Sequence, residues 1–198
     1  MDVAAILELY AQGYFPLGFE DGVGWFDQRA YGTSFRALMP LDERFHLPRS
    51  LRRALNSGRF ETRINADFVG VVEGCATRGW SYSSETWLTP ELAEMYLRLH
   101  RAGFAHSFEC WHQGELAGGI LGLALGGAFI GDSMFYAVPE ASKVALVRLV
   151  EHLRQRGFLL FDVQVQNPHL ERFGAYEVSP REYRRMLQEA IARPVRFV

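Results

Sequence analysis

The fold is decided by residues 128–167, AFIGDSMFYAVPEASKVALVRLVEHLRQRGFLLFDVQVQN. This stretch predicts a strand, a turn broken by Pro139, a helix stopped by Gly157, and a second strand. Apolar residues at helical spacing indicate the helix; they are Val144, Val147 and Val150, with Leu146, Leu149 and Leu153 on the neighbouring rows. The pattern is typical of a strand–helix–strand unit.

Three polar side chains lie on the strands of this unit. Asp132 is on the first strand, and Asp162 and Gln164 are on the second. A unit of this kind brings the polar residues of its two strands close together. Because side chains alternate along a strand, we expect Asp162 and Gln164 to face the same side. These three residues are the first candidates for chemistry, although Asp132 and Asp162 could equally be turn residues and Gln164 could bond to the backbone.

Length and composition indicate one globular protein. The chain has 198 residues, enough for one substantial core or for a main domain with a small appendage. The hydrophobic share is 48% and the charged share 22%, and the net charge is −2. No global field therefore attracts nucleic acid or a membrane, and a polyanion must bind at a local patch.

The cysteines and the N-terminus predict a reduced, cytoplasmic protein. Cys75 and Cys110 do not match the spacing of metal ligands, and neither do the six histidines. The N-terminal residues carry acidic side chains and no basic segment of a secretory signal. The longest uncharged run, 116–131, contains six glycines and is too short for a membrane span. We expect the thiols to be buried.

The remaining chain predicts a small N-terminal segment, 1–40, packed on a main domain, 41–198. The segment is too small for a core of its own. Its predicted parts are a helix at 3–12, an aromatic loop at 14–19 and a strand at 34–39. The main domain is predicted to contain helices at 48–57, at 64–74 with Asn65 as cap, from Pro90 with Thr89 as cap, and at 177–191 with Ser179-Pro180 as cap. Its predicted strands are 105–111, 115–125 and 128–136, and 77–84 is predicted to be a loop.

The order of the predicted helices and strands along the chain indicates an α+β fold with a mixed sheet, as in acyltransferases of the acetyltransferase (GNAT-like) superfamily. Fold alone does not give function. Acetyltransferases hold the coenzyme A pyrophosphate on a glycine-rich turn that opens the helix after the central strand. The corresponding turn here, 136–143, has no glycine, and Glu140 would repel phosphate. The coenzyme A cradle is therefore missing.

Two other features are candidates for binding. Residues 49–63 contain five arginines and one glutamate. Arg49, Arg52, Arg53 and Arg59 could meet the phosphates of a nucleic acid, or could form an ordinary solvated face. An aromatic set could be core, or could stack a base and line an apolar pocket; its members are Tyr10, Phe15, Trp25, Trp87, Phe129 and Phe135.

A series of short motifs carries a resemblance. In chain order they are Tyr10-x-x-Gly13-x-Phe15-Pro16, Val72-Glu73-Gly74-Cys75-Ala76, Thr86-Trp87-Leu88-Thr89, Tyr96-x-x-Leu99-His100-x-x-Gly103-x-Ala105-His106-Ser107, Gly118-Gly119, Gly131-x-Ser133-Met134-Phe135, Ala141-Ser142-Lys143 and Asp162-x-Gln164-Val165-x-Asn167. Over nearly the whole chain this pattern resembles the leucyl/phenylalanyl-tRNA–protein transferase family. The N-terminus begins later than in longer family members.

The resemblance implies an aminoacyltransferase that moves Leu or Phe from an aminoacyl-tRNA to the N-terminal Arg or Lys of a protein. The product is a degradation signal of the N-end rule. Because the donor ester is already activated, the resemblance implies no ATP, metal or other cofactor. It also implies no membrane partner, and we predict a monomer.

The resemblance also implies roles for individual residues. Asp162 would orient Gln164, which would hold the attacking α-amine near the ester carbonyl; Asp132 completes the catalytic set. A neutral amide is a poor base, so Gln164 positions and polarises the amine. The residues implied at the donor aminoacyl-adenosine site are Tyr10, Trp87, Ile120 and Phe129. Those implied at the tRNA backbone are Arg49, Arg52, Arg53 and Arg59.

Two departures from the family pattern leave the donor preference open. Asp132 stands where the family has Glu, which sets the carboxylate back by roughly 1.5 Å. Leu17 stands where the family has Trp. An apolar pocket discriminates by only about 1–3 kcal/mol per methylene, so Leu, Phe and Met are all candidate donors. The alternatives are a coenzyme A-dependent N-acetyltransferase and a catalytically silent tRNA-binding module. The residues that recognise the acceptor are not identified by the sequence.

Overall fold

The structure, a computed structural model, describes residues 1–78 and 87–198. Its helices are α1 (Val3–Ala11), α2 (Arg49–Asn56), α3 (Phe68–Arg78), α4 (Pro90–Arg101), α5 (Ala141–Arg156), α6 (Pro168–Glu171) and α7 (Pro180–Ile191). Its strands are β1 (Phe15–Phe19), β2 (Gly22–Phe26), β3 (Arg36–Met39), β4 (Glu61–Ile64), β5 (Ala105–His112), β6 (Glu115–Leu125), β7 (Ala128–Tyr136), β8 (Leu160–Gln164) and β9 (Tyr176–Val178). Most of the predicted loop at 77–84, and Thr86 of the Thr86–Thr89 motif, lie outside the described residues.

The strands form a small hairpin and a large mixed sheet. β1 and β2 pair antiparallel, and the large sheet has the order β4-β5-β6-β7-β8-β3-β9. Its neighbours are antiparallel except β7 and β8, which are parallel because α5 carries the chain across between them. The predicted mixed sheet is confirmed. The division at residue 40 stays a prediction, although β3, from the N-terminal side of that boundary, lies inside the large sheet.

Helices cover both faces of the large sheet, so the core has two layers. One layer contains Ile6 of α1, the buried stripe of α4 and Leu187 of α7. The other contains Leu51 of α2 and the apolar face of α5. Each fully buried Leu, Val or Ile contributes about 1.5–3 kcal/mol relative to an exposed one, so burial on both faces supplies the driving force for folding.

The strongest local signals of the sequence match the structure. Thr89 caps α4, with its side chain accepting from the Leu92 amide at 3.4 Å, and Pro90 is the first helical residue. Gly157 ends α5 with φ of 82°. The predicted strands at 105–111, 115–125 and 128–136 are β5, β6 and β7, each within one residue. Caps and long periodic segments fixed these elements.

Three local predictions are wrong. Within the predicted aromatic loop at 14–19, residues 15–19 form a strand, β1, which pairs with β2 through a turn at residues 20–21. The helix predicted from residue 64 begins at Phe68, and Asn65 is not its cap: with φ of 55°, Asn65 accepts from the Ser107 amide at 2.9 Å. The predicted helix at 177–191 begins only at Pro180, because β9 precedes it and pairs with β3; the cap predicted at Ser179-Pro180 is confirmed.

Gly118 in β6 allows α5 to start close to the sheet. A Cβ at this position would lie 2.9 Å from the Ala141 Cβ and 2.9 Å from the Phe135 carbonyl oxygen, too close for any side chain. The glycine therefore brings the first turn of α5 against β6 and β7. Ser142 and Lys143 of that turn line the main cavity.

Candidate active site

The cavity opens where β7 and β8 part. Their main-chain pairing ends at Ile130 and Asp162, whereas β7 continues to Tyr136 and β8 to Gln164. Beyond that point the two strands form facing walls of a cavity of about 1690 Å³. Single small-molecule pockets span about 300–1,000 Å³, so this cavity has room for parts of two substrates.

Asp132 and Gln164 bridge the two walls. The Gln164 Nε2 donates to the Asp132 Oδ1 at 2.8 Å, and both residues line the cavity. Among the described residues, no donor bonds to the Gln164 Oε1, so this oxygen can accept from a ligand. This side-chain hydrogen bond connects β7 and β8 where their main-chain pairing has ended. Asp132 and Gln164 are therefore close together, as the strand–helix–strand pattern predicts.

Unlike Asp132 and Gln164, Asp162 lies outside the cavity. Its side chain is fully buried and does not line the cavity. Gln164 has φ of 65°, in the left-handed region, and β3 carries an irregularity beside it. Strand alternation therefore breaks at Gln164, and the expected shared face of Asp162 and Gln164 is wrong: one side chain is enclosed and the other lines the cavity.

Asp162 accepts hydrogen bonds from three residues. Arg36 of β3 reaches both of its oxygens, with Nη2 donating to Oδ2 at 2.6 Å and Nε to Oδ1 at 2.9 Å. The Tyr183 hydroxyl of α7 also donates to Oδ2, at 2.6 Å. The remaining bond comes from the Gln164 amide to Oδ1, at 2.8 Å. The buried charge is thus paired and its acceptor positions are filled.

Asp132 lies in a less polar environment. The Tyr10 hydroxyl donates to its Oδ2 at 3.1 Å and lies 3.2 Å from the Tyr96 hydroxyl. Burial raises the pKa of Asp132 to about 7; the charge of Asp162 adds to this rise, whereas the tyrosine hydrogen bonds and Arg36 oppose it. Burial also raises the pKa of both tyrosines well above the ordinary value, so they remain hydrogen-bond donors. Asp132 is therefore a carboxylate that can exchange a proton near neutral pH.

The predicted donor-site residues divide into two groups. Trp87 and Ile120 line the cavity. Trp87 is held by the hairpin, because the Gly18 amide donates to its carbonyl at 2.9 Å. Tyr10 reaches the cavity only through Asp132. Phe129 is fully buried behind the wall, with its ring centroid 5.5 Å from that of Phe161, and Phe161 lines the cavity in its place.

The basic residues are outside the cavity. Arg49, Arg52 and Arg53 are exposed on α2, and Arg59 is exposed just after it. Within residues 1–78 and 87–198, none of these four side chains forms a salt bridge. Exposed arginines of this kind can pair with phosphates without first breaking a salt bridge.

Sequence reasoning missed Arg36, Tyr96 and Tyr183. Arg36 is only 1% exposed, and its position as a charged residue in the apolar stretch 36–39 was the signal that a buried partner existed. Tyr96 is part of one of the family motifs but is not among the predicted site residues; it is buried in α4, and its hydroxyl belongs to the site. No local pattern marks Tyr183, since its partners are distant in the sequence.

Comparisons with known proteins first give the class, a transferase. A relative from Thermosynechococcus vestitus named leucyl/phenylalanyl-tRNA–protein transferase is 60% identical, covering 96% of this chain and 91% of the relative. A relative of the same name from a Synechococcus species is 56% identical, covering 100% and 98%. The family model described as leucyl/phenylalanyl-tRNA protein transferase matches residues 38–188. The chain belongs to this family, which confirms the resemblance.

Solved structures give a weaker likeness. The C-terminal domain of a putative lysylphosphatidylglycerol synthetase from Agrobacterium fabrum matches with a TM-score of 0.43 and 15% identity, covering 94% of this chain and 62% of that one. Within the described ranges of this chain, no helix has the length and hydropathy needed to cross a membrane.

Proposed function

We propose that this protein transfers Leu or Phe from an aminoacyl-tRNA to the N-terminal Arg or Lys of acceptor proteins. The product carries a new peptide bond and a degradation signal of the N-end rule. Family membership across residues 38–188 supports the reaction, and the Asp132–Gln164 bridge at the cavity carries the assignment of chemistry to this site. We also propose that the enzyme is a cytoplasmic monomer with a GNAT-like fold.

The bridge can prepare the attacking amine. The Gln164 Oε1 accepts from the α-amine of the acceptor, while its Nε2 stays on Asp132, so the amide is held in one orientation. Asp132 takes one proton from the α-ammonium group, directly or through one water, while Gln164 positions the resulting amine. The amine nitrogen then attacks the ester carbonyl carbon and the ester bond to the ribose breaks. The second proton that the nitrogen loses as the peptide bond forms passes to the ribose oxygen, which leaves as a hydroxyl.

The pKa of Asp132 suits this role. An α-ammonium group has a pKa of about 8, and Asp132 has a pKa of about 7. Moving a proton between them costs about 1 kcal/mol, whereas a carboxylate of ordinary pKa would make the same transfer about 5–6 kcal/mol uphill. The environment that raises this pKa therefore removes most of the proton-transfer cost.

The donor side of the cavity is apolar. Trp87 offers a surface for stacking the terminal adenosine, and Ile120 and Met134, which are paired across β6 and β7, form part of the wall. Phe129 supports Phe161 from behind, so we propose an indirect effect of Phe129 on the shape of the site. A wall of this kind measures bulk, which makes Met a further candidate donor.

The acceptor side offers negative charge. Glu20 and Asp21 of the β1–β2 turn and Glu91 of α4 line the cavity, and none of them forms a salt bridge within the described parts of the chain. Unpaired carboxylates favour the approach of a cationic chain end. This charge supports an acceptor that begins with Arg or Lys.

The turn that opens α5 is a poor coenzyme A cradle. Glu140 adopts φ of 75°, and its carboxylate is 3.1 Å from the Lys143 Nζ, so the lysine that could meet a phosphate is occupied. Glu140 itself lines the cavity and would oppose an anion there. These contacts support aminoacyl-tRNA over coenzyme A as the donor.

One assay separates the candidate functions. The protein is incubated with radiolabelled Leu-tRNA or Phe-tRNA and a peptide that begins with Arg, and a matched peptide that begins with Glu is the control. We expect label in the Arg peptide alone. Bound tRNA without transfer would indicate a silent tRNA-binding module, and acylation of the peptide only with acetyl coenzyme A would overturn the proposal.

Removing two arginines of α2 should weaken tRNA binding without affecting chemistry. For Arg52→Ala with Arg53→Ala, we expect the slope of log affinity against log salt to fall by about 1.4–1.8, since each lost phosphate contact removes about 0.7–0.9. Filter binding from 50 to 200 mM salt measures the slope, and kcat at saturating tRNA should change little. The matched control is Arg101→Ala, an exposed arginine on α4. An unchanged slope would place the tRNA elsewhere.

A further inference from the structure

We propose that Arg36 and Tyr183 are positioning residues of the transfer reaction, holding Gln164 in its reactive orientation through Asp162. The inference rests on the proposed function and deepens it. Neither residue lines the cavity, so neither touches substrate. Their effect on the reaction has to pass through the carboxylate that they enclose.

Arg36 is fixed on every side. Its guanidinium binds both oxygens of Asp162 and donates from Nη1 to the Gly13 carbonyl at 3.1 Å. Its central carbon lies 5.1 Å from the Phe15 ring centroid and 4.6 Å from that of Tyr183. A guanidinium that lies over two rings and binds a carboxylate in a fork has little freedom, so it holds Asp162 in a defined orientation.

Tyr183 closes the same arrangement from α7. Its hydroxyl bonds to Asp162 Oδ2, and its ring contacts Arg36. Gly13, with φ of 92°, lies directly over this ring: a Cβ there would be only 2.8 Å from the Tyr183 Cε1. The end of α1, β3 and α7 thus meet at one carboxylate.

The carboxylate in turn holds the backbone of Gln164. Asp162 Oδ1 accepts from the Gln164 amide at 2.8 Å, and this residue has φ of 65°. A left-handed conformation at a non-glycine residue persists only where its surroundings impose it. It directs the Gln164 side chain across the parted strands to Asp132. A change at Arg36 or Tyr183 would therefore displace the amide that holds the amine.

Arg36 also controls the charge beside Asp132. The groups that act on Asp132 are Tyr10 of α1, Tyr96 of α4, Cys75 of α3, Asp162 and Gln164 of β8, Tyr183 of α7 and Arg36 of β3. Among them Asp162 raises the pKa of Asp132 and Arg36 lowers it. Loss of the Arg36 charge leaves Asp162 uncompensated, so Asp132 would ionise only at higher pH.

Three variants test the inference in steady-state transfer assays. For Tyr183→Phe, which removes one hydroxyl and little volume, we expect kcat to fall about 10-fold with the KM for aminoacyl-tRNA unchanged. For Arg36→Lys, which keeps the charge but loses the fork, we expect a fall of about 100-fold and an unchanged pH midpoint. For Arg36→Gln the midpoint should move above that of the wild type. The control is Tyr176→Phe, whose hydroxyl lies 3.5 Å from the exposed Arg44.

A spectroscopic measurement makes the test independent of activity. The side-chain amide resonances of Gln164, recorded by ¹H–¹⁵N NMR on the whole chain, should shift in Tyr183→Phe and exchange faster with water, because their bond to Asp132 is weakened. Lower unfolding temperatures with unchanged kcat and unchanged resonances would show a purely structural role and overturn the inference. If the wild-type protein transfers no amino acid, the proposed function is contradicted. The Gln164 resonances of Tyr183→Phe still show whether Tyr183 positions Gln164.

Discussion

Asp132→Asn is expected to lower kcat by about 10²–10⁴-fold, the contribution typical of a general base. The variant keeps an oxygen for the Gln164 Nε2, so the bridge between β7 and β8 can remain. What it loses is the ability to take a proton. Single-turnover transfer of Leu or Phe to an Arg-initiated peptide measures the loss at saturating tRNA.

The pH dependence gives the same variant a second readout. In the wild type, the rate should rise with pH through a midpoint near 7, where Asp132 becomes ionised. In Asp132→Asn this rise should disappear. The control is Asp132→Glu, which restores the carboxylate that the family resemblance implies at this position and should keep a sloping profile. A midpoint that stays near 7 in Asp132→Asn would mean that another group is the base.

As pH rises, the contribution of Asp132 to the free energy of unfolding should fall, whereas the transfer rate should rise. The pKa of Asp132 is raised in the folded protein from 3.8 to about 7, so between these pH values the folded state holds a proton that the unfolded state has lost. The contribution of Asp132 to the free energy of unfolding therefore falls as pH rises from about 4 to about 7, and is flat above. In Asp132→Asn this pH-dependent loss of stability should be absent, because the amide does not ionise. Its stability relative to the wild type should increase across that window, as urea unfolding at pH 5 and pH 8 can measure.

Sequence patterns predicted the elements whose signals are local. The cap at Thr89 and the stop at Gly157 needed only neighbouring residues, and the position of Asp132 opposite Gln164 followed from the strand–helix–strand order. The hairpin of β1 and β2 was missed because its aromatic residues have no clear alternation and its stability comes from pairing. Local sequence patterns are reliable for elements whose conformation is set by neighbouring residues.

The arrangement around Asp162 could not be predicted in the same way. Its partners come from positions 126 residues before it and 21 residues after it. The strand rule placed Asp162 and Gln164 on the same face of the strand, but the left-handed conformation of Gln164 and the buried ion pair of Asp162 separate their side chains. The sequence thus identified Asp162 and Gln164 as polar residues of the site. That Gln164 faces the cavity and Asp162 holds Gln164 from behind depends on tertiary contacts.

Asp162→Ala is expected to lower the free energy of unfolding by about 3–5 kcal/mol, because it leaves the buried Arg36 without its partner. Arg36 is 1% exposed in its side chain and Asp162 0%, so water cannot replace the lost carboxylate without opening the core. Urea unfolding measures the cost. The matched control is Asp42→Ala, which breaks an ion pair with Arg44 at 2.7 Å, close to the 2.6 Å of the buried pair, but with side chains 43% and 55% exposed. Exposed pairs contribute only about 0–1 kcal/mol, so the control should remain close to the wild type.

The same variant should lose transfer while keeping tRNA. At a temperature where Asp162→Ala is folded, the amide of Gln164 no longer has its acceptor, and the side chain that holds the attacking amine is released. We expect most transfer activity to be lost. The exposed arginines of α2 are untouched, so tRNA affinity measured by filter binding should stay near that of the wild type. A stability cost equal to that of Asp42→Ala would show that Arg36 finds another partner. Loss of tRNA affinity in folded protein would give Asp162 a structural role, because a positioning residue changes the rate of the bound complex and not its formation.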